Sequence, residues 1–217
     1  MPSLSHRIPT TPWSATSPWS LRPRMIVPLV GGLSLFGLGE GLLVASHWGA
    51  TPWTVFAQGL GHRLGIPIGW STLVISTVVL AACWPLREKP GFNTVANVVI
   101  IAYTLDLTAA YVTTPSSDWL RALLTVSGVV SIGVGSALCL TTALGPGPRD
   151  GVMTSLHRRL GVSVVYVRLG IEVMVLIIGW LLGGVVGFGT AFYAGTMGFS
   201  IGLSLRVASR VASRSST

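Results

Sequence analysis

Positions 144–151 read Leu-Gly-Pro-Gly-Pro-Arg-Asp-Gly between two long apolar runs, and positions 48–55 read Trp-Gly-Ala-Thr-Pro-Trp-Thr-Val in the same context. A shift of 96 residues (145 minus 49) places Gly145 on Gly49 and Pro148 on Pro52. The register then holds without a gap, with Leu156 on Leu60, Arg159 on Arg63, Leu160 on Leu64 and Gly161 on Gly65. The chain is therefore interpreted as one unit of about 96 residues used twice.

Composition indicates that the repeated unit lies in a membrane. Of the 217 residues, 50% are hydrophobic and 9% are charged, and the mean hydropathy is +0.71. A soluble domain with this balance could not cover its surface with polar groups. Apolar windows long enough to cross a hydrocarbon core of about 30 Å as helices predict six spans, at 25–47, 68–84, 93–113, 119–143, 163–184 and 188–207. Their length favours helices over a β-barrel, whose strands alternate over about ten residues.

The sequence therefore predicts an all-α membrane protein of two repeats. Residues 25–113 form the first three-span repeat, and residues 119–207 form the second. Residues 1–24, rich in Pro, Ser, Thr and Arg, are expected to be a disordered cytoplasmic tail, and residues 208–217 a basic cytoplasmic tail. Because each repeat has an odd number of spans, the second enters the membrane from the opposite face, so the halves are expected to be inverted.

A short amphipathic segment follows the first span of each repeat. Residues 53–64 carry apolar side chains at helical spacing, and residues 149–160 repeat the pattern. Twelve residues of helix extend about 18 Å, which is too short to cross a bilayer. Each segment is expected either to lie in the membrane interface or to dip into the membrane and return. Both follow turns of glycine and proline, and the first amide groups of each helix face whatever lies ahead.

The net charge of +8 is interpreted as an orientation signal. If the N-terminus is cytoplasmic, the basic residues outside the spans lie on the cytoplasmic side, except Arg63 and Arg121. This distribution predicts a multi-pass protein of the bacterial inner membrane with both termini in the cytoplasm. Nucleic-acid binding is the weaker interpretation of the charge. The lipid bilayer is the predicted partner, and the glycine-rich spans are as compatible with a homodimer as with a monomer.

Ionisable side chains within spans are costly and are therefore functional hypotheses. Arg168 and Glu172 are four residues apart and can pair on one helix face, either as a structural lock or as part of a binding site. Asp106 has no local partner and is expected to pair with Arg168 or to carry a proton. Arg149 and Asp150, at the start of a short helix, form either an interfacial pair or an anion site. These five residues are the predicted lining of a path for a small-molecule solute.

Other polar residues give weaker signals. Glu40 lies nearer the outer half of the first span, and the histidines are scattered near the membrane surfaces. Cys83 and Cys139 match no metal-binding spacing. The motifs of hydrolases, zinc proteases and phosphate-binding loops are missing, so no catalytic residue, metal or cofactor is predicted, and an enzyme is the least favoured class.

Three motifs in the second repeat resemble a known family. They are Gly-Pro-Gly-Pro-Arg-Asp-Gly-Val-Met at 145–153, Val-Arg-Leu-Gly-Ile-Glu at 167–172 and Gly-Trp-Leu-Leu-Gly-Gly at 179–184. With Gly-Ala-Thr-Pro-Trp at 49–53, they resemble the YczE branch of the bacterial YczE/YyaS/YitT membrane proteins over about residues 25–205. The resemblance implies a polytopic inner-membrane protein of largely unassigned activity, often supposed to be a transporter. Thr54 departs from the family, in which an acidic residue often follows Pro-Trp.

Two functions follow from these patterns. The inverted repeats favour a small-solute transporter or exporter, with Arg168 as charge anchor and Asp106 or Glu172 as proton site. The alternative is a non-transporting membrane accessory that scaffolds or regulates a partner, with its polar residues serving packing. A carrier needs water at the midplane of the membrane, whereas a scaffold is dry there.

Overall fold

The computed structural model describes residues 11–86, 88 and 90–214, with side chains described as far as Arg210. These residues form eight helices and no strand: α1 Pro23–Ser46, α2 Pro52–Leu64, α3 Ile68–Cys83, α4 Phe92–Tyr111, α5 Asp118–Thr142, α6 Pro148–Leu160, α7 Val164–Leu181 and α8 Phe188–Arg214. The predicted all-α class is confirmed for this part of the chain. The two short segments expected from the sequence correspond to α2 and α6.

Four helices, α1, α4, α5 and α7, are long and apolar enough to cross a membrane. α2 and α3 meet at a bend of 114° and provide a fifth crossing if they form one broken span. α3 alone has 16 residues and extends about 24 Å, less than the thickness of a hydrocarbon core. In α8, glycine, serine and threonine dilute the apolar residues. The described helices support a multi-pass membrane protein with four or five crossings, and the predicted count of six is not confirmed.

The helix boundaries recur at the 96-residue shift. α2 and α6 both contain 13 residues. The helices before them, α1 and α5, are followed by residues in the left-handed region, His47 and Ala143, each with a φ of 54°. Gly49 and Gly145 come next, with φ values of 104° and 106° that glycine adopts without strain. The same local sequence pattern therefore builds the same turn twice.

Four glycines bring α1 and α5 into backbone contact. A Cβ atom added at Gly39 would lie 2.5 Å from the carbonyl oxygen of Gly128, and one added at Gly135 would lie 2.5 Å from that of Gly32. The two contacts are equivalent at the repeat shift, because 39 plus 96 is 135 and 32 plus 96 is 128. Both positions require glycine, and small residues of this kind allow membrane helices to pack at close range.

The turn before each short helix packs against the start of a helix from the other repeat. The backbone N–H of Asn93 donates to the carbonyl of Leu144 at 3.1 Å, and that of Gly189 donates to the carbonyl of Trp48 at 2.6 Å. These bonds are again equivalent, because 93 plus 96 is 189 and 48 plus 96 is 144. Each half therefore holds the turn of the other.

Residues 11–22 contact the C-terminal end of α5. The hydroxyl of Ser14 donates to the carbonyl of Thr141 at 2.8 Å, and the indole N–H of Trp13 donates to the Thr141 hydroxyl at 3.1 Å. This part of the segment expected to be a disordered tail is therefore held against the helices, and residues 1–10 lie outside the described residues. At the other end, α8 continues to Arg214, beyond the predicted end of the last span at 207.

Gly39→Ala is expected to lower the free energy of unfolding by about 1–3 kcal/mol, the usual cost of overpacking, because the new methyl group would press on the Gly128 carbonyl. Gly31→Ala is the matched control on the same helix, since nothing lies within 4 Å of a Cβ added there. The measurement is thermal unfolding of the purified protein in detergent. Equal melting temperatures for the two variants would contradict the α1–α5 packing.

Arg63→Cys in α2 and Arg159→Cys in α6 test the predicted orientation. Both arginines are exposed at equivalent positions. In spheroplasts, a membrane-impermeant maleimide is expected to label Arg63→Cys, and to reach Arg159→Cys only after the membrane is opened. The parent chain is the control, because its Cys83 and Cys139 are buried. Labelling of both variants from the same side would overturn the orientation.

Candidate functional site

The N-terminal ends of α2 and α6 meet. The guanidinium of Arg149 lies over the indole ring of Trp53, 4.9 Å from the ring centroid, where the electron-rich face attracts a cation. Each residue is the second of its helix and follows a proline that presets the first turn. Their positions are equivalent in the two repeats, because 53 plus 96 is 149. The contact therefore joins the same point of both halves.

Glu40 is a buried carboxylate beside this contact. Its side chain is 1% exposed, and its Oε1 accepts from the Thr51 hydroxyl at 3.3 Å and from Nη1 of Arg149 at 3.5 Å. Both distances are long for hydrogen bonds to a charged group. The other oxygen, Oε2, has no hydrogen-bond partner within the described ranges. Glu40 was not among the predicted lining residues, and no local sequence pattern links it to partners 11 and 109 residues away.

Asp150, Arg168 and Glu172 extend the cluster. Nε of Arg168 donates to Oε1 of Glu172 at 2.8 Å, as the four-residue spacing predicts. The carboxylate of Asp150 lies within electrostatic range of the guanidiniums of Arg168 and Arg149 and of the carboxylate of Glu172. The Asp150 side chain is exposed.

Asp106 lies apart from this cluster. Its Oδ1 accepts from the backbone N–H of Gly69 at 2.9 Å and so caps the first turn of α3, which no side chain at Pro67 can cap. Arg168, its expected partner, pairs with Glu172 instead. The structure thus brings four of the five predicted residues together. Asp106 lies apart from them and contacts the first turn of α3.

The equivalent helices α3 and α7 have different surroundings. One face of α3 is buried, with Gly69, Thr72 and Ser76. The equivalent face of α7 is open, with Val165, Arg168 and Glu172, whose side chains are fully or partly exposed. α3 packs along α4, whereas in the described chain α7 makes almost no contact with α8. The second repeat is therefore open where the first is closed.

The face of α8 toward this opening is uncovered as well. Val98 and Ala102 of α4 are buried, while their equivalents on α8, Ala194 and Gly198, are exposed. Nothing lies within 4 Å of a Cβ added at Gly198. Across the opening, Arg168 still interacts electrostatically with Tyr193 of α8. The space between these exposed faces of α7 and α8 is called the cleft, and Arg168 and Glu172 lie on its α7 side.

The chemistry of this cluster is charge recognition. Its members are two guanidiniums, three carboxylates and an indole face: Arg149, Arg168, Glu40, Asp150, Glu172 and Trp53. Within the described ranges, no group of three or more His, Cys, Asp or Glu side chains is placed to hold a metal ion. The arrangement fits a polar or charged small molecule.

Comparison with known proteins gives a family but no activity. Residues 23–206 match a family of unknown function, DUF6198. An uncharacterized protein of Haemophilus influenzae is 40% identical over 191 residues, which are 88% of each chain. In Bacillus subtilis, the uncharacterized membrane protein YczE is 30% identical over 174 residues (79% of this chain, 78% of YczE), and the uncharacterized protein YyaS is 25% identical over 167 residues (73% and 81%). The resemblance to the YczE and YyaS proteins is confirmed, and no solved structure matches the chain.

Asp106→Ala is expected to destabilise the protein by about 0.5–2 kcal/mol, because the N–H of Gly69 loses its acceptor. Asp106→Asn keeps an acceptor oxygen at the same place and is expected to unfold close to the parent temperature. Thermal unfolding in detergent measures both variants. If the unfolding temperature of Asp106→Asn falls as far as that of Asp106→Ala, the charge of Asp106 and not its acceptor oxygen stabilises the protein. The interpretation of Asp106 as a helix cap would then be wrong.

Proposed function

Since the chain belongs to DUF6198, a family of unknown function, we propose from its site that the protein is a small-solute transporter or exporter. It works by alternating access of two inverted three-span halves in the bacterial inner membrane, with both termini in the cytoplasm. The description of the relative YczE as a membrane protein agrees with this location. The lining of the solute path is Arg149, Asp150, Arg168 and Glu172, with Arg168 as the charge anchor.

The direction of α1 and α5 supports the inverted arrangement. Contacts that run from Gly32 to Gly39 along α1 run from Gly135 back to Gly128 along α5, so the two helices are antiparallel. They occupy equivalent places in the repeats. Two equivalent helices that run in opposite directions are the expected signature of halves related by an axis in the membrane plane.

The contact between Trp53 and Arg149 supports re-entrant short helices. In an inverted arrangement, α2 and α6 lie on opposite sides of the membrane. Their N-terminal ends can touch, at 4.9 Å from guanidinium to ring centroid, only if both dip inward. In transporters with inverted repeats, helix ends that meet near the midplane face the solute. This arrangement accounts for charged side chains at a depth where isolated charges are costly.

The single observation that carries the proposal is that the second repeat is open where the first is closed. α3 packs along α4 while α7 stands away from α8. If the halves exchanged these conformations, the cleft would close on one side of the membrane and an equivalent cleft would open on the other. The two states of a carrier then follow from one sequence repeated twice.

A pair of cysteines tests this exchange. In repeat 1, a Cβ added at Gly69 would lie 2.7 Å from the carbonyl oxygen of Ala102. The equivalent positions in repeat 2 are 165 and 198, which do not touch in this structure. If repeat 2 adopts the conformation of repeat 1, positions 165 and 198 come as close together as positions 69 and 102 are here. Val165→Cys with Gly198→Cys is then expected to form a disulfide in membranes under mild oxidation, since a disulfide requires Cα atoms within about 7 Å of each other. Val165→Cys with Phe199→Cys, one position away on α8, is the matched control.

Access of a thiol reagent completes the test. Asp150→Cys is expected to react with a membrane-impermeant reagent from one side, and to lose that reactivity once positions 165 and 198 are joined. A cross-link that never forms, together with an Asp150→Cys that stays unreactive from both sides, would instead favour the non-transporting accessory protein.

A further inference from the structure

Glu40 carries a charge that its surroundings satisfy only in part. The side chain is 1% exposed, Oε1 has two long contacts, and no described residue bonds to Oε2. A buried carboxylate is stable only if it is paired and fully hydrogen-bonded. Glu40 meets the first condition through Arg149 and fails the second.

Arg149 is the cation that faces Glu40. From α2, the Thr51 hydroxyl reaches Oε1 and also bonds the Thr54 hydroxyl at 2.8 Å. From α8, the phenol of Tyr193 interacts electrostatically with Glu40. Within the described chain, no hydrogen bond or ion pair joins Glu40 to a side chain of α4 or α5. The Arg149 guanidinium is therefore the positive charge that pairs with Glu40.

Arg149 lies between the buried carboxylate and the cleft. Its side chain is 19% exposed, stacks on Trp53, and is close enough to Asp150 to influence that carboxyl. The cluster also has unequal charges. Glu40, Asp150 and Glu172 contribute three negative charges, Arg149 and Arg168 two positive ones, so one negative charge is unbalanced (three minus two). In a medium of low dielectric, one added positive charge would stabilise the cluster.

We propose that Glu40 is a proton-binding site, coupled through Arg149 to an anionic solute in the cleft. A proton from water in the cleft bonds to Oε2 and neutralises the carboxylate. The guanidinium of Arg149 keeps its own charge and pairs with the anionic group of the solute. When the proton returns to water, the Glu40 carboxylate pairs with the Arg149 guanidinium again and the solute is released. A proton fits better than a metal ion, because one free oxygen is a poor ligand set and the guanidinium repels a second cation.

The coupling to a solute rests on the proposed transporter, but the proton site is tested without solute. The experiment is an infrared difference spectrum of the purified full-length protein between alkaline and acidic buffer. The chain contains six Asp and Glu residues, so a missing band can be assigned. The C=O band of a buried carboxylic acid is expected in the parent protein and in Glu88→Gln and Asp118→Asn, whose carboxylates lie outside the cluster. It is expected to be lost in Glu40→Gln.

The Arg149 link has its own variant. Arg149→Gln removes the positive charge that faces Glu40, so Glu40 is expected to stay protonated in both buffers. Its C=O band is then expected to be absent from the difference spectrum. The same band is expected to remain in the absolute spectrum at alkaline pH. A parent-like difference band in Arg149→Gln would overturn the coupling. If Glu40→Gln does not fold, Glu40→Asp keeps the acid and is expected to shift the frequency of the band.

Two results would overturn the proton site. One is a spectrum of Glu40→Gln, or of Glu40→Asp, that is identical to that of the parent. The other is loss of the band when sodium replaces potassium at constant pH, which would assign the site to a sodium ion. Neither result depends on movement of α7. Failure of the cross-link between positions 165 and 198 therefore contradicts the transporter without affecting the proton site. Absence of a C=O band from Glu40 contradicts the proton site without affecting the transporter.

Discussion

The close approach of the α1 and α5 backbones is the constraint on which the rest of the structure depends. Glycine at four positions allows the carbonyl oxygens of each helix to fit against the other at a distance that a side chain would prevent. Lipid tails are as apolar as leucine, so burial from water cannot drive this contact, and close van der Waals packing takes its place. Once α1 and α5 are fixed, the turns that follow them lie against the helix starts of the opposite repeat.

Those turns direct the short helices toward each other, and the charged cluster lies where the two meet. Arg149 interacts with Glu40 of α1 and Trp53 of α2, both from the first repeat, and with Asp150 on its own helix. The site is therefore shared between the repeats, and neither half contains it alone. The difference between the packed α3 and the open α7 then decides which part of the shared site is exposed.

Local features could be predicted from the sequence, because proline and glycine set them. The predicted segments 53–64 and 149–160 differ by one residue from α2 and α6, whose ends are marked by Pro at the start and Gly after the last turn. The number of membrane crossings could not be predicted as closely from the sequence. α3 is apolar but has only 16 residues, and in α8 glycine, serine and threonine dilute the apolar residues, so apolar windows alone did not fix the number of crossings.

The partners of buried charges could not be predicted in the same way. The Arg168–Glu172 pair was expected because both residues lie on one helix, four positions apart. Glu40 and Arg149 are 109 residues apart, and Asp106 and Gly69 are 37 apart. No local pattern links residues at such distances, so neither the contact of Asp106 with Gly69 nor that of Glu40 with Arg149 could be predicted. The repeat register would have helped only for Trp53, which falls on Arg149.

The Trp53–Arg149 contact also bears on how such a chain can evolve. Where an axis relates two inverted halves, a residue beside the axis meets its own counterpart. In a symmetric homodimer of half-length ancestors, this position would set indole against indole or guanidinium against guanidinium, and the second pair repels. A fused gene can place a different residue in each half, here a cation and an aromatic face. In the proposed inverted arrangement, the two halves are therefore complementary at this position rather than identical.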